Sequence, residues 1–152
     1  MGYVMDLRKI VGARPLVITG ASVLLLDKDN RLLLQLRKDN NCWGLAGGSL
    51  EPGETIEEVA RRELVEETGL QATNLDFFKV FSGADFYYKY PHGDEVYNVI
   101  TAYICKEYEG DLVRDPNEVK DLRFFEMERL PPNISPPDQK VINEFRKGVQ
   151  YV

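Results

Sequence analysis

Glu63, Glu66 and Glu67 are the residues whose types and spacing point most directly to chemistry. Glu63 and Glu67 are four apart and Glu66 is three from Glu63, so on a helix all three lie on one side. Two carboxylates ~6 Å apart repel by roughly 3 kcal/mol at an effective dielectric of about 20. Three together therefore cost helix stability unless something compensates. A hard divalent cation such as Mg2+ takes oxygen ligands and converts that repulsion into attraction. A solvated acidic face is the alternative reading of any such helix. The stretch before the helix favours the metal: Gly44, Gly47, Gly48 and Gly53 surround Trp43 and Pro52. Glycine lets the backbone come close to a ligand, and glycine carbonyls beside a carboxylate helix would complete a metal shell.

These residues need elements to hold them. Thr55 to Thr68 is the clearest helix. Thr55 with Glu58 three residues on forms a capping box, Gly69 is the stop, and Ile56, Val59, Ala60 and Leu64 make an apolar stripe. Tyr3, Val4, Leu7, Ile10 and Val11 predict a short amphipathic helix ended by Gly12. Leu16 to Leu26 and Arg31 to Arg37 read as strands joined by the turn residues Asp27 to Asn30, which predicts a hairpin. Asp39 to Gly53 reads as a long loop, and long loops in small domains tend to be functional. Leu75 to Phe81 and Leu122 to Glu126 read as strands. Phe86 to Tyr90 and Glu95 to Lys106 flank a turn at Pro91 to Asp94, and a last helix runs from about Pro137 to Lys147. This order implies an α/β (α+β) fold, a mixed sheet with helices on both faces, in a single domain.

Composition narrows the function. The chain has 152 residues, with 25 acidic against 19 basic side chains and a net charge of -6. The excess argues against long nucleic acid, a polyanion, as a partner. It does not exclude a small anion, because a bound cation inverts the local sign. Between Glu51 and Glu67 there are seven Glu against two Arg, a local balance of 2 − 7 = -5. The acidity is thus concentrated on one loop and helix. Cys42 and Cys105 are far apart and lack a CxxC partner, which favours a reducing compartment. Met1 to Lys9 has no signal-peptide core and no apolar run approaches a membrane span. A cytoplasmic protein without a membrane partner is expected.

From Gly48 the chain runs five residues to Glu54, then seven, then Arg62-Glu63-Leu64-Val65-Glu66-Glu67-Thr68-Gly69-Leu70. This resembles a complete Nudix box, GX5EX7REUXEEXGU with U aliphatic, and the chain is identified as a member of the Nudix hydrolase family, MutT-like. The resemblance implies an α/β/α sandwich and hydrolysis of a pyrophosphate bond, with Mg2+ or Mn2+ required. It implies Glu66 and Glu67 as metal ligands, and Glu63 as a further ligand or the general base. Arg62 would pair with a box carboxylate such as Glu54, and the carbonyl of Gly47 would be another ligand. A late acidic ligand is common in the family, and Glu118 is the candidate.

The substrate implied is a small nucleotide of the type nucleoside diphosphate linked to X: nucleotide sugars, ADP-ribose-like compounds or dinucleoside polyphosphates. Nucleoside triphosphates, oxidised ones included, are the alternative, and a non-catalytic nucleotide sensor the second. Arg37 resembles in place a family arginine that contacts phosphate or base. Tyr87 resembles a tyrosine of diadenosine-polyphosphate hydrolases. The chain departs from the family at Asp85, where ADP-ribose hydrolases often carry proline, and at Ala46, where a proline usually precedes the two glycines. His92, the only histidine, falls in a turn and reads as an exposed residue. A homodimer is left open.

Overall fold

In the computed structural model, which describes residues 2–149, the strands divide between two sheets. The elements in chain order are α1 (Tyr3–Val11), β1 (Leu16–Leu25), β2 (Leu32–Arg37), β3 (Trp43–Gly44), β4 (Ala46–Ser49), α2 (Ile56–Thr68), β5 (Gln71–Phe81), β6 (Tyr87–Lys89), β7 (Glu95–Glu109), β8 (Val119–Phe125) and α3 (Pro136–Val149). The larger sheet runs β4-β1-β7-β5, with β6 also paired to β7. The smaller runs β3-β2-β8. β1 and β7 are parallel, from Leu16 opposite Val96 to Leu25 opposite Cys105, and the other pairs are antiparallel. The expected mixed sheet with helices on both sides is present.

The expected hairpin between the first two strands is not. Its turn forms: Asp27 N–H donates to the Arg31 carbonyl at 3.0 Å, and Asn30 takes a positive φ of 60°. After one bridge, Leu26 to Leu32, the strands part into different sheets. Ala21 to Leu26 and Leu32 to Leu34 are all buried. Strands apolar on both faces belong in the middle of a layered structure, so each takes the centre of its own sheet. The expected loop from Asp39 to Gly53 likewise contains β3 and β4. Glycine-rich β4 pairs with β1, Gly47 opposite Ser22 and Gly48 opposite Ala21.

Helix α2 forms as its sequence predicts. Thr55 accepts from the Glu58 N–H, Glu58 accepts from the Thr55 N–H, and Gly69 at φ 78° ends the helix. Neighbouring residues of β1 point to opposite sides. Val23 and Leu25 join Val59 and Leu64 of α2 in one core, and Leu24 joins Trp43, Phe81, Ile142 and Phe145 in the other, against α3. Val59 and Leu64 are fully buried, each stabilising α2 by roughly 1.5–3 kcal/mol. This packing sets the direction in which the carboxylates of α2 face. Among the described residues, no helix is long and apolar enough to cross a membrane.

Candidate active site

The carboxylates of α2 reach across β4 because β4 has no side chains in the way. A Cβ on Gly48 would lie 2.4 Å from Glu63 Cδ, and one on Gly47 would lie 2.1 Å from the Ala21 carbonyl oxygen. Glycine is required here for close approach of strand, strand and carboxylate, within a paired strand rather than a free loop.

One guanidinium organises the exposed side of this cluster. Arg62 donates to both oxygens of Glu54, at 2.7 and 2.9 Å, and to Glu63 at 2.9 Å, with longer bonds to Glu66 at 3.5 Å and to the Ser49 carbonyl at 3.3 Å. The paired Arg62 holds the Glu54 carboxyl below the usual carboxylate range, a fork-to-fork geometry that fixes position as well as charge.

The inner side is built around Glu67, which is 2% exposed. Its Oε1 accepts from the Gly47 N–H at 2.9 Å and from Gln35 Nε2 at 3.0 Å, and its Oε2 from Arg37 Nη1 at 3.3 Å. The remaining guanidinium nitrogens of Arg37 grip Asp39 at 3.0 Å. Even so, burial pushes the Glu67 carboxyl up to about 8, Arg37 notwithstanding. Burial and then the charge of Glu66 push Glu63 up to about 7. The cluster is short of positive charge.

Among the described residues no three acidic, thiol or imidazole groups converge as a ready metal shell, because these carboxylates are turned onto internal donors. The donors on α2 are all oxygen, the ligand type that a hard divalent cation takes.

The carboxylates line a cavity of about 910 Å³. Arg37 and Gly47 line it with Glu63, Glu66, Glu67 and Glu118, and so do Val4, Met5, Ile18, Ile100, Tyr88, Tyr90 and Asn98.

The NUDIX domain family matches residues 17–145. The chain belongs to the Nudix family. A Bacillus subtilis (strain 168) protein named, provisionally, an 8-oxo-dGTP diphosphatase is 33% identical over 133 residues, 88% of this chain and 83% of its own. The ADP-ribose pyrophosphatase of Methanocaldococcus jannaschii is 32% identical over 126 residues, 81% of this chain and 70% of its own. The MutT NUDIX hydrolase of Burkholderia pseudomallei superposes with a TM-score of 0.72 at 23% identity, covering 84% of this chain and 97% of its own.

In this Nudix pyrophosphohydrolase, the chain brings Arg62, Glu63, Glu66, Glu67, Gly47 and Arg37 together. Glu118 is exposed, immediately before β8, and lines the same cavity; its charge adds to the upward push on Glu63. Tyr87 is not among the residues that line the cavity. Side chains alternate along β6, so Tyr87 turns to Tyr97, ring centroids 5.2 Å apart, and donates its hydroxyl hydrogen to Glu95. It is Tyr88 and Tyr90 that line the cavity. His92 is exposed in its turn, stacked on Tyr90, and Cys42 and Cys105 are free thiols.

Sequence reading missed Gln35 and Asp138. Gln35 is 1% exposed; its Nε2 bonds both Glu67 and the Leu45 carbonyl, while its Oε1 is enclosed without a donor. A lone polar residue in the run Leu32-Leu33-Leu34-Gln35 was the available signal. Asp138 Oδ2 on α3 accepts from the Leu45 N–H at 3.1 Å and from Ser135 Oγ at 3.2 Å, tying α3 to the segment before the glycines. Nothing local in the sequence announces that contact.

Proposed function

We propose that this protein hydrolyses the pyrophosphate bond of nucleoside diphosphates linked to a second moiety, using Mg2+ or Mn2+ held by Glu63, Glu66 and Glu67 with the Gly47 carbonyl and Glu118. The observation that carries the reading is a single cavity lined both by the carboxylates of α2 and by apolar and aromatic side chains. The first suits phosphates accompanied by a cation, the second a nucleoside. A volume of about 910 Å³ lies toward the upper end of the roughly 300–1,000 Å³ of small-molecule sites, which suits a substrate with a group on each side of the scissile bond.

A bound divalent ion would supply phosphate neutralisation and a more acidic water. The chain's own residues do the rest. Arg62 holds Glu54 and Glu63 in one arrangement, so that α2 cannot rotate away from β4. Gln35, the Gly47 N–H and Arg37 fix both oxygens of Glu67. Glu63 would be a further ligand or the base that takes the proton of the attacking water. Cleavage places one water-derived oxygen on one phosphate and leaves the other as its monoester. The kept box carboxylates favour an enzyme over a nucleotide sensor. A reducing cytosol suits the two free thiols.

The second reading, a (d)NTP or oxidised-nucleotide pyrophosphohydrolase, is favoured by the name of the Bacillus subtilis relative. A panel of ADP-ribose, nucleotide sugars, dinucleoside polyphosphates and (d)NTPs, oxidised ones included, separates the two. The expected result is Mg2+-dependent release of monophosphate from the first three classes, with none in EDTA. Turnover confined to triphosphates overturns the substrate assignment, and turnover in EDTA overturns the metal.

A further inference from the structure

Helix α1 precedes the residues that match the Nudix family, which begin at residue 17, yet its Val4 and Met5 line the same cavity as Tyr88 and Tyr90. We propose that α1 is the specificity wall of this enzyme: Val4 and Met5 pack on the nucleobase, and Arg8 is the positioning residue that holds them there. The inference rests on the pyrophosphohydrolase reading for the kind of ligand, and on α1 itself for the rest.

The helix is fastened at both of its own ends. At its start, the Tyr3 N–H donates to Glu51 Oε1 at 3.0 Å. The Glu51 N–H in turn donates to Glu54 Oε1 at 3.0 Å, and Glu54 is the carboxylate gripped by Arg62. At its end, Arg8 is buried, 9% exposed. It donates to the Gly12 carbonyl at 2.9 Å, to the Arg14 carbonyl at 2.6 Å and to the Glu95 carbonyl at 2.6 Å, with Asp94 at 3.6 Å. Glu95 and Asp94 belong to the hairpin that carries Tyr88 and Tyr90. Helix α1 therefore spans from the carboxylate loop to the aromatic hairpin.

A buried guanidinium is costly unless its donors are met, and here three carbonyls and a carboxylate meet them. An arginine serving only solubility would not be drawn inside. Val4, Leu7, Arg8 and Val11 fall at i, i+3, i+4 and i+7, the inward face, while Met5 sits half-exposed at the rim, 51% accessible. A flexible thioether there adapts to a flat aromatic surface.

The test pairs kinetics with a binding measurement that needs no turnover. Met5→Ala and Val4→Ala raise KM for ADP-ribose about fivefold each, the worth of roughly half-burying such a side chain, with kcat within about twofold; Met5→Leu restores KM. By calorimetry, AMP, which has a base but no scissile bond, weakens by the same factor in Met5→Ala, and ribose 5-phosphate, which has no base, does not change. Arg8→Ala raises KM in the same way and increases hydrogen exchange of the α1 amides, a readout that confirms the protein is folded elsewhere. Unchanged KM and AMP affinity in a hydrolysing enzyme overturn the wall and leave the proposed function standing. Loss of ribose 5-phosphate equal to that of AMP, or no AMP binding to the wild type, also overturns the wall. If AMP discriminates as stated but nothing is hydrolysed, the function falls and the wall stands.

Discussion

Within the cavity wall, Glu63, Glu66 and Glu67 come from one stretch of one helix, whereas Met5, Tyr90, Asn98 and Ile100 come from three separate segments. The first group is specified by spacing, because a helix with a capping box and an apolar stripe leaves its acidic side no choice of direction. The second is specified by packing, through a parallel pairing of β1 with β7 and a buried arginine on α1. The difference teaches that the carboxylate group and the rest of the cavity wall are encoded separately in this chain. A short local pattern fixes the first, and contacts distant in sequence fix the second.

The sharpest way to break that division is to change the chemistry of the spaced group while leaving its shape. Glu67→Gln keeps volume and removes a charge that nothing in the second group can replace. Mg2+-dependent kcat is expected to fall by at least about 100-fold, with an unchanged circular dichroism spectrum and AMP affinity within about twofold. A variant with full activity would sink the metal-site assignment.

Arg62→Lys comes next. Lysine keeps the charge but cannot present a fork to both oxygens of Glu54 while reaching Glu63. The expected loss is about tenfold or more in kcat and about 1–2 kcal/mol of stability, moderated because the Arg62 side chain is 31% exposed. Urea denaturation and steady-state kinetics read the two. A lysine variant as active as the wild type would mean that Arg62 supplies charge alone.

The same division explains what could be read in the sequence. Helix α2, its cap and its carboxylates depend on residues within one or two turns of each other, and so does the turn at Asp27 to Asn30. The partners of β1 and β2 do not. Two apolar strands around a good turn look like a hairpin until a second sheet competes for each of them, and that competition involves Val96 and Phe125, far along the chain. Glycines at 47 and 48 suggested a loop because glycine usually marks turns; here it marks crowding between Ala21 and Glu63. Tyr88 rather than Tyr87 lines the cavity, and alternation on a three-residue strand cannot be set without knowing its neighbours. Arg8 lies on a short amphipathic helix, and only the hairpin ending at Glu95 gives it a reason to be buried.

Asp138 offers the smallest effect and a test of the joint between the two groups. Burial pushes its carboxyl up to about 6, although the Leu45 N–H, Ser135 Oγ and Arg37 all favour the charged form. A carboxyl with a folded pKa above its unfolded value of about 3.9 binds its proton more tightly in the folded state. Its favourable contribution is present below about pH 4 and is lost as pH rises through about 6. The residue is partly exposed, so the loss is about 1–2 kcal/mol rather than the full shift. Asp138→Asn can place its Oδ1 where Oδ2 accepts both bonds, and it does not titrate. Thermal unfolding from pH 5 to pH 8 should therefore show the asparagine variant gaining on the wild type as pH rises, by a few degrees at most. A difference that is flat across this range would mean that the carboxyl stays ionised throughout, and that α3 is held to Leu45 by a charged acceptor rather than a neutral one.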